Sequence, residues 1–331
     1  MREVAQIGAA LGRQFSHELI DAVARMPPAH LDEALEQLVR AELIYRRGTP
    51  PEAEYTFKHA LVQDVAYDTL LRSRRRQLHA NIAATLEDRF PEIVEAQPAL
   101  IAHHSTEAGL MEKAIDSWLA AGRQAWGRSM LAEAVALFHR GLALVPALPD
   151  TDWRRQREFD LQIALGQALV ASRGWGMPEL GEVYSRARGL ASTLNRPRQL
   201  LFTLFGEFMY HWARADLKRA RQLADEMVSL GEVSGDVPTR VTGCHANGWA
   251  CFHFGEFTAG RAYLERGLAL YDPAHRSSYS EVFVARQSGW EDGDNQDGAD
   301  SRGKRKIVGG RGRGQASFQP STSWVCSSGR G

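Results

Sequence analysis

The spacing of apolar residues predicts a small module of helices and a hairpin at the start of the chain. The run LDEALEQLVRAEL has one apolar stripe at helical spacing, formed by Leu31, Leu35, Leu38 and Val39. Two short extended runs follow, LIYRR (43–47) and EYTFKH (54–59), and the intervening GTPPEA carries the glycine and prolines of a turn. A further helix has apolar positions on one side, namely Leu61, Val62, Val65, Thr69 and Leu70. Helices combined with a β-hairpin predict a winged-helix fold for residues 1–90.

Residues 91–273 have the pattern of helices separated by short turns, with an internal repeat. The tetratricopeptide pattern W-x2-L-G-x2-Y, A-x3-F, P is matched at Trp118, Gly122, Ala134, Phe138 and Pro146. A second unit carries Gly248, Gly255, Phe257, Gly260, Leu264, Gly267 and Leu270 at matching offsets, and Leu165-Gly166 opens another that needs a two-residue insertion before Tyr184. Small residues let paired helices approach, and a large side chain fills the space between them. With units about 40–44 residues apart, the pattern predicts a tetratricopeptide-like α-solenoid whose concave face binds a ligand.

The composition changes at the end of the chain. Leu270 is the last leucine, and an acidic stretch, EDGDNQDGAD, is followed by the basic SRGKRKIVGGRGRG. Such a segment buries too little apolar surface to offset the entropy of ordering, which predicts a disordered Gly/Arg/Ser-rich tail over residues 274–331. A shifted reading frame is one explanation for its composition, and contact of the RGRG run with RNA is the alternative to a solvated tail. The predicted fold class is therefore mainly α, with a winged-helix module, a helical solenoid and a disordered tail.

Composition and charge argue against several classes of protein. The 331 residues include 40 Lys and Arg against 40 Asp and Glu, so net charge favours neither nucleic acid nor an anionic membrane as a partner. Apolar runs are far shorter than the ~18 residues of a membrane span, and the N-terminus lacks the pattern of a secretory signal. Three cysteines, Cys244, Cys251 and Cys326, form no disulfide framework, which is typical of a reducing compartment. We therefore expect a cytoplasmic protein.

Catalytic and metal-binding signatures are weak in this sequence. No G-x-x-x-x-G-K-[ST] phosphate loop, no G-x-G-x-x-G after a strand, no H-E-x-x-H and no G-x-S-x-G occurs. We therefore expect no enzymatic activity, no catalytic residue and no metal. One predicted helix carries Cys244, His245, Cys251 and His253, for which buried packing is the main interpretation and a metal site the alternative. The His103-His104 pair is expected to lie on a helix surface.

The string YTFKHALVQDVAYDTLL, residues 55–71, is the most informative local segment. Strand alternation places Tyr55, Phe57 and His59 on the same side, so His59 is predicted to face the core or a cleft. Together with ALGRQFSHELI, LVRAELIYRRG and RRRQLHANIAATLE, this string resembles the winged-helix module that follows the ATPase core of bacterial signal-transduction NTPases of the STAND class. The later repeats resemble the tetratricopeptide region of the same proteins, which often lies downstream of class III adenylate/guanylate cyclase and AAA-type ATPase domains. The resemblance covers residues 3–273.

This resemblance implies a role for His59. In nucleotide-binding immune receptors and related switches, a winged-helix motif of the form M-H-D-L-V-x-D-x-A supplies a histidine to bound ADP. Residues 59–66 can be laid beside that motif, although Ala60 stands where the motif has its first aspartate. By analogy His59 would sense the nucleotide phosphate through a hydrogen bond; a core histidine capping the wing is the other interpretation. No cofactor is expected in this chain itself, and ATP or ADP would act only through a missing NTPase domain.

The basic run at residues 72–76 raises an alternative function, a winged-helix DNA-binding transcription regulator with a repeat sensor domain. We favour a solvated helix face for this run, with a domain-docking patch as a further interpretation. The expected recognition helix and its C-terminal end carry four acidic residues that would repel phosphates, namely Asp32, Glu33, Glu36 and Glu42.

The function implied by these observations is non-catalytic. The resemblance implies a regulatory and protein-interaction arm of a nucleotide-dependent signalling protein, present here as a fragment without the NTPase core. Its expected partners are that NTPase domain and a protein or inducer on the concave face, without membrane or nucleic acid. The last helical pattern ends near Tyr271, so self-association through an uncapped end of the array is also expected.

Overall fold

The computed structural model describes residues 1–275 and shows a mainly helical chain with one small sheet, as the fold class predicted. The strands are β1 (Gln14–Ser16), β2 (Ile44–Arg47) and β3 (Glu54–Phe57). The first helices are α1 (Arg2–Leu11), α2 (His17–Ala24), α3 (Pro28–Arg40), α4 (Ala60–Asp68), α5 (Arg72–Arg89), α6 (Pro91–Ala96) and α7 (Pro98–Ala108). The later helices are α8 (Met111–Gly127), α9 (Leu131–Leu144), α10 (Asp152–Arg173), α11 (Pro178–Thr193), α12 (Pro197–Ala213), α13 (Leu217–Ser234), α14 (Val237–His253) and α15 (Phe257–Leu270). Short 3-10 turns occupy Val145–Ala147 and Pro273–His275.

The sheet contains the predicted hairpin and one additional strand. β2 and β3 pair antiparallel with Ile44 opposite Phe57, and β1 pairs antiparallel with the other edge of β3, where Phe15 lies opposite Tyr55. Sequence reasoning missed β1, because its QFS segment is too short to show an alternating pattern. The sheet order is β1-β3-β2.

Aromatic rings from the sheet and the apolar stripe of α3 form the core of the N-terminal part. Phe15 stacks on Tyr55 with ring centroids 5.7 Å apart and lies 6.0 Å from Phe57. All three rings belong to one buried cluster with the α3 residues Leu31, Leu35 and Leu38. The predicted stripe of α3 is therefore confirmed, with Val39 half-buried at its margin.

The side of α4 that faces inward differs from the prediction. Leu61 and Val65 are 72% and 56% exposed, whereas Val62 and Ala66 are half-buried and pack against the core. The apolar residues of α4 occupy more than one side of the helix, and its contact with α1 selects the side that is buried. Leu70, just beyond the helix, is buried as expected.

From α7 onward each helix packs against the next helix along the chain. Short turns connect them, so neighbouring helices run antiparallel. The first helices of successive pairs begin at Met111, Asp152, Pro197 and Val237, which are 41, 45 and 40 residues apart. The second interval is slightly longer than the predicted spacing of about 40–44 residues, and the other two fall within it.

Small residues face large side chains across these helix pairs. A Cβ added to Gly122 would lie 2.3 Å from Phe138, and one added to Gly248 would lie 2.6 Å from Leu264. Tyr184 lies between two glycines in the same way, because added Cβ atoms would approach it to 3.2 Å at Gly166 and to 2.4 Å at Gly206. The packing of small against large residues that the repeat pattern predicts is therefore present. It includes Gly166 and Tyr184, whose repeat unit requires a two-residue insertion.

The last described helices, α14 and α15, bury both cysteines and expose apolar side chains. Cys244 and Cys251 are both buried. A Cβ added to Gly267 would lie 3.3 Å from the Cβ of Cys244, and one added to Gly260 would lie 3.2 Å from the Cβ of Cys251. The outer side exposes Phe252, Phe257 and Leu268. The predicted disordered tail covers residues 274–331, and all of it from residue 276 onward lies outside the described residues. Within residues 1–275, no helix combines the length and apolar character needed to cross a membrane.

Candidate functional site

His59 lies on the surface, so the prediction that it faces the core or a cleft is wrong. β3 ends at Phe57, and His59 is the N-terminal capping residue of α4, where its backbone carbonyl accepts a hydrogen bond of 3.1 Å from the amide of Val62. Alternation along a strand stops applying once the strand has ended, which is why Tyr55 and Phe57 are buried while His59 is exposed. Its interpretation as a core histidine fails for the same reason, whereas the phosphate-sensor role stays a prediction.

The basic run 72–76 lies at the start of α5, and its arginines differ in exposure. Arg72, Arg74 and Arg76 are exposed, as expected for a solvated helix face, and Arg74 pairs with Glu3 at 2.9 Å. Arg75 instead turns inward, with its guanidinium 4.1 Å from the ring centroid of Tyr67 and 3.5 Å from the Asp68 carboxylate.

His79, His103 and His104 form a histidine cluster where α5 packs against α7. His79 of α5 and His104 of α7 are 0% and 1% exposed, and their Nδ1 atoms are 2.8 Å apart. His103 is exposed beside them, with its ring centroid 5.7 Å from that of His79 and 5.3 Å from that of His104. One ring nitrogen from each of the three lies within 4.8 Å of the others. The expected surface pair His103-His104 is therefore half wrong, because packing against α5 buries the second histidine.

Hydrogen bonds lead from this cluster to a carboxylate and assign the histidine tautomers. Tyr67 donates its hydroxyl hydrogen to Glu107 Oε2 at 3.4 Å, because an ionised carboxylate only accepts. The Tyr67 oxygen lies 2.9 Å from His79 Nε2 and accepts that ring's hydrogen. His79 Nδ1 is then unprotonated and accepts from His104 Nδ1, so His104 Nε2 carries no hydrogen. That nitrogen is buried and has no hydrogen-bond partner among the described residues.

Burial disfavours charge throughout this cluster. It lowers the pKa of His79 to about 4, with smaller contributions from the neighbouring His103 and Arg75. It lowers the pKa of His104 to about 3, with the two other histidines adding to the effect. Burial is also the main reason that the pKa of Tyr67 rises to about 12. At neutral pH both buried histidines and the tyrosine are uncharged.

A cavity of about 780 Å³ opens beside the histidine cluster. Its wall includes the end of α1, the inner side of α4 and parts of α7, α8 and α9. Its polar lining groups include Gln63, Tyr67, Arg75, His103 and Glu107. The cluster is therefore accessible from solvent through His103, whereas His79 and His104 lie behind this surface.

A second, smaller cavity of about 510 Å³ lies among α11, α12 and α13. Arg188 binds the buried Glu207 at 3.1 Å and also contacts Glu226, and Arg219 adds a longer contact to Glu207 at 4.0 Å. Small residues of α11 also line this cavity, among them Gly181 and Ser185. These arginines are held by carboxylates of the chain itself, which leaves a polar groove with balanced charge.

The sequence contained one unused signal for the histidine cluster. His79 stands at helical spacing from Ile82, Ala83 and Leu86, all of which are buried, so it belonged to an apolar stripe. Nothing in the sequence paired it with His104, which comes 25 residues later. By contrast, Cys244 and Cys251 are buried, as the main interpretation of their segment predicted, whereas His245 is half-buried and His253 is exposed, contrary to that interpretation.

Comparisons with known proteins give distant similarities. No protein-family model matches the chain. An uncharacterized protein of Rhizobium meliloti (strain 1021) is 25% identical over 274 residues, which are 82% of this chain and 26% of that protein. The chain thus spans about a quarter of the length of the curated relative that it matches.

Two solved structures are similar to the chain at low TM-scores. A Signal Transduction ATPase with Numerous Domains (STAND) protein with a tetratricopeptide repeat sensor, from Pyrococcus horikoshii, has a TM-score of 0.42 and 11% identity, covering 85% of this chain and 52% of that one. BtubC (BKLC) from P. vanneervenii has a TM-score of 0.34 and 13% identity, covering 93% and 98%.

Proposed function

We propose that this chain is a non-catalytic regulatory arm of a nucleotide-dependent signalling protein. In this proposal residues 1–90 are a winged-helix module, residues 91–273 are tetratricopeptide-like repeats, and an NTPase domain lies elsewhere in a longer parent. The arm acts in the cytoplasm, and ATP or ADP influences it only through that domain. The observation that carries the proposal is a helical array packed through small-against-large pairs, directly following a small module with a three-stranded sheet.

The order of elements supports the winged-helix assignment. The order along the chain is α1, β1, α2, α3, β2 and β3. The last two strands form a hairpin in which β3 is the central strand of the sheet and β2 an edge strand. The core comes from α3 and the strand aromatics, so the hairpin is anchored as a wing.

The pairing of glycines with large residues supports a repeat scaffold. Because each helix contacts mainly its chain neighbours, the array offers an extended surface rather than one enclosed pocket. Such surfaces bind proteins or inducers, and we assign that role to the groove around Arg188 and Glu207, where polar groups and small residues meet.

The exposed side of α4 is the surface that we assign to contact with the NTPase domain. Leu61 and Val65 are apolar and exposed next to His59 at the start of the helix. An apolar patch with a polar residue at its margin fits a docking surface. His59, at the end of this patch, is placed to sense the nucleotide phosphate of the docked domain.

Charge pairing on the module counts against the alternative of duplex DNA binding. Glu36 of α3 pairs with Arg46 of the hairpin, and Glu42 pairs with Lys58 at 2.6 Å. These pairs neutralise cations near the helix that would enter the major groove, and Asp32 of that helix is exposed.

The test begins with the gene that encodes the chain, read in all frames on both sides. If a phosphate-loop domain is encoded upstream, the longer protein is produced and hydrogen exchange is measured on α4 with ADP and with ATP. We expect α4 protection to differ between the two nucleotides. Equal protection in both states, or a gene without such a domain, would refute the regulatory arm.

The role of His59 is tested separately in the same assay. His59→Ala is expected to remove the nucleotide dependence, while His30→Ala, which changes another exposed histidine, preserves it. If His59→Ala preserves the dependence, docking stands and the sensor role is lost.

A further inference from the structure

We propose that His79, His103 and His104 form a binding site for one divalent transition-metal ion of the zinc class. The proposal is independent of the regulatory role above, because it rests on the side chains where α5 meets α7. Neither the sequence motifs nor the related proteins point to a metal at this place.

The three histidines have the separation that one metal ion requires. Zinc binds imidazole nitrogen at about 2.0–2.1 Å, so two such nitrogens on one tetrahedral ion are about 3.3 Å apart. The Nδ1 atoms of His79 and His104 are 2.8 Å apart, and the set of three nitrogens spans no more than 4.8 Å. Small shifts therefore suffice: the buried pair opens slightly, and the exposed His103 closes by a side-chain rotation.

The protonation state of the cluster suits coordination. Metal ions bind the unprotonated imidazole nitrogen. The tautomer set by Tyr67 and Glu107 leaves His79 Nδ1 without hydrogen, so it can coordinate directly, and His104 offers its Nδ1 once the ring hydrogen moves to Nε2. The ion then takes the place of the hydrogen bond between the two Nδ1 atoms, and the buried Nε2 of His104 holds the displaced hydrogen.

The surroundings of His79 match the outer shell of known metal sites. A histidine ligand usually donates its second ring hydrogen to a carboxylate, carbonyl or water, which fixes the ring orientation. Here His79 Nε2 donates to Tyr67, and Tyr67 donates to Glu107. This relay orients the ring and leaves Nδ1 directed toward His104.

The charges near the cluster are mixed. Arg75 opposes a cation, but it is engaged by Asp68 at 3.5 Å and by the face of Tyr67. Glu107 supplies a negative charge through Tyr67, and Asp64 lines the same cavity. Three imidazole ligands favour zinc, copper, nickel or iron over magnesium and calcium, which prefer oxygen ligands.

The position of the site gives it a structural consequence. His79 belongs to α5 and the other two histidines to α7, so the ion would cross-link the N-terminal module to the start of the helical array. The cavity beside His103 provides the entry path and leaves a remaining coordination position open to water.

The experiment uses the full chain after treatment with a chelator. Zn²⁺ is added in equilibrium dialysis, bound metal is counted per chain, and Co²⁺ is added in parallel to record its visible absorption. We expect one Zn²⁺ per chain at micromolar concentrations, a Co²⁺ spectrum with nitrogen ligands and no thiolate charge-transfer band, and no comparable binding of Mg²⁺.

Variants decide whether the bound ion is at this site. His103→Ala removes an exposed ligand without disturbing the core and is expected to weaken Zn²⁺ binding at least tenfold. The matched control His30→Ala, in another exposed histidine, leaves the affinity unchanged. His104→Gln, with folding checked by circular dichroism, is expected to weaken Zn²⁺ binding at least as much. Absence of saturable Zn²⁺ binding, or equal affinity in His103→Ala and the unaltered chain, overturns the proposal.

Discussion

Replacing Gly122 by alanine tests the tightest helix contact in the array. The new Cβ would lie 2.3–2.8 Å from three ring atoms of Phe138, which is itself buried. Because the approach is this close and the ring is buried, we expect overpacking to cost about 1–3 kcal/mol, toward the upper end of that range. Alanine regains up to about 1 kcal/mol of helix propensity. We expect a net loss of about 2 kcal/mol in the free energy of unfolding.

Gly189 provides the matched control. It also lies inside a helix, but an added Cβ would meet nothing within 4 Å. Gly189→Ala is therefore expected to stabilise the chain by about 0.5–1 kcal/mol, which makes the two alanine variants differ by about 3 kcal/mol. Urea unfolding followed by circular dichroism measures both.

A double variant shows whether Phe138 causes the loss. Phe138→Leu makes room for the new methyl group, so Gly122→Ala is expected to cost at least about 1 kcal/mol less in that background. Equal stability changes for Gly122→Ala and Gly189→Ala, or simple additivity with Phe138→Leu, would show that α8 and α9 do not approach as closely as described.

Three further predictions concern charge and the end of the array. A histidine in the unfolded chain has a pKa near 6.5, whereas burial lowers the pKa of His79 to about 4 and that of His104 to about 3 in the folded chain. Between the folded and the unfolded pKa values the unfolded chain therefore binds more protons, and the free energy of unfolding falls as the pH falls below 6.5. In chelator, we expect a loss on the order of 4 kcal/mol between pH 7 and pH 5, about 2 kcal/mol from each histidine, measured by urea unfolding. The dependence is expected to be about half as steep in His104→Gln, and parallel pH profiles would contradict this. Glu207→Gln removes the buried carboxylate charge that binds Arg188 and is expected to lower the free energy of unfolding by about 1–3 kcal/mol in the same assay. An unchanged urea midpoint would show that this ion pair does not contribute to stability. Leu268 is 75% exposed on α15. Leu268→Glu is therefore expected to reduce concentration-dependent association in sedimentation without lowering the midpoint of thermal unfolding. A monomeric unaltered chain would argue against association through α15.

Local patterns in the sequence were sufficient for most of the helical architecture. The apolar stripe of α3 and the hairpin of β2 and β3 depend on neighbours within one helix or across one turn, so spacing alone predicted them. The pairs Gly122–Phe138 and Gly248–Leu264 were also readable, because both members belong to adjacent helices at a fixed offset.

Contacts between distant segments required the tertiary structure. Packing against α1 decided which side of α4 is buried, and it left Leu61 and Val65 in solvent. His59 is exposed because β3 ends two residues before it, a boundary that alternation cannot locate.

The histidine cluster shows the division most clearly. Helical spacing is a local property, and in the sequence it places His79 on the apolar side of its helix, whereas His104 was predicted to lie on a helix surface. Only the packing of α5 on α7 brought His79 and His104 to 2.8 Å and placed Tyr67, from a third helix, against them. Burial then lowered the pKa of both histidines, because desolvation depends on all the surrounding elements and not on the order of residues along the chain.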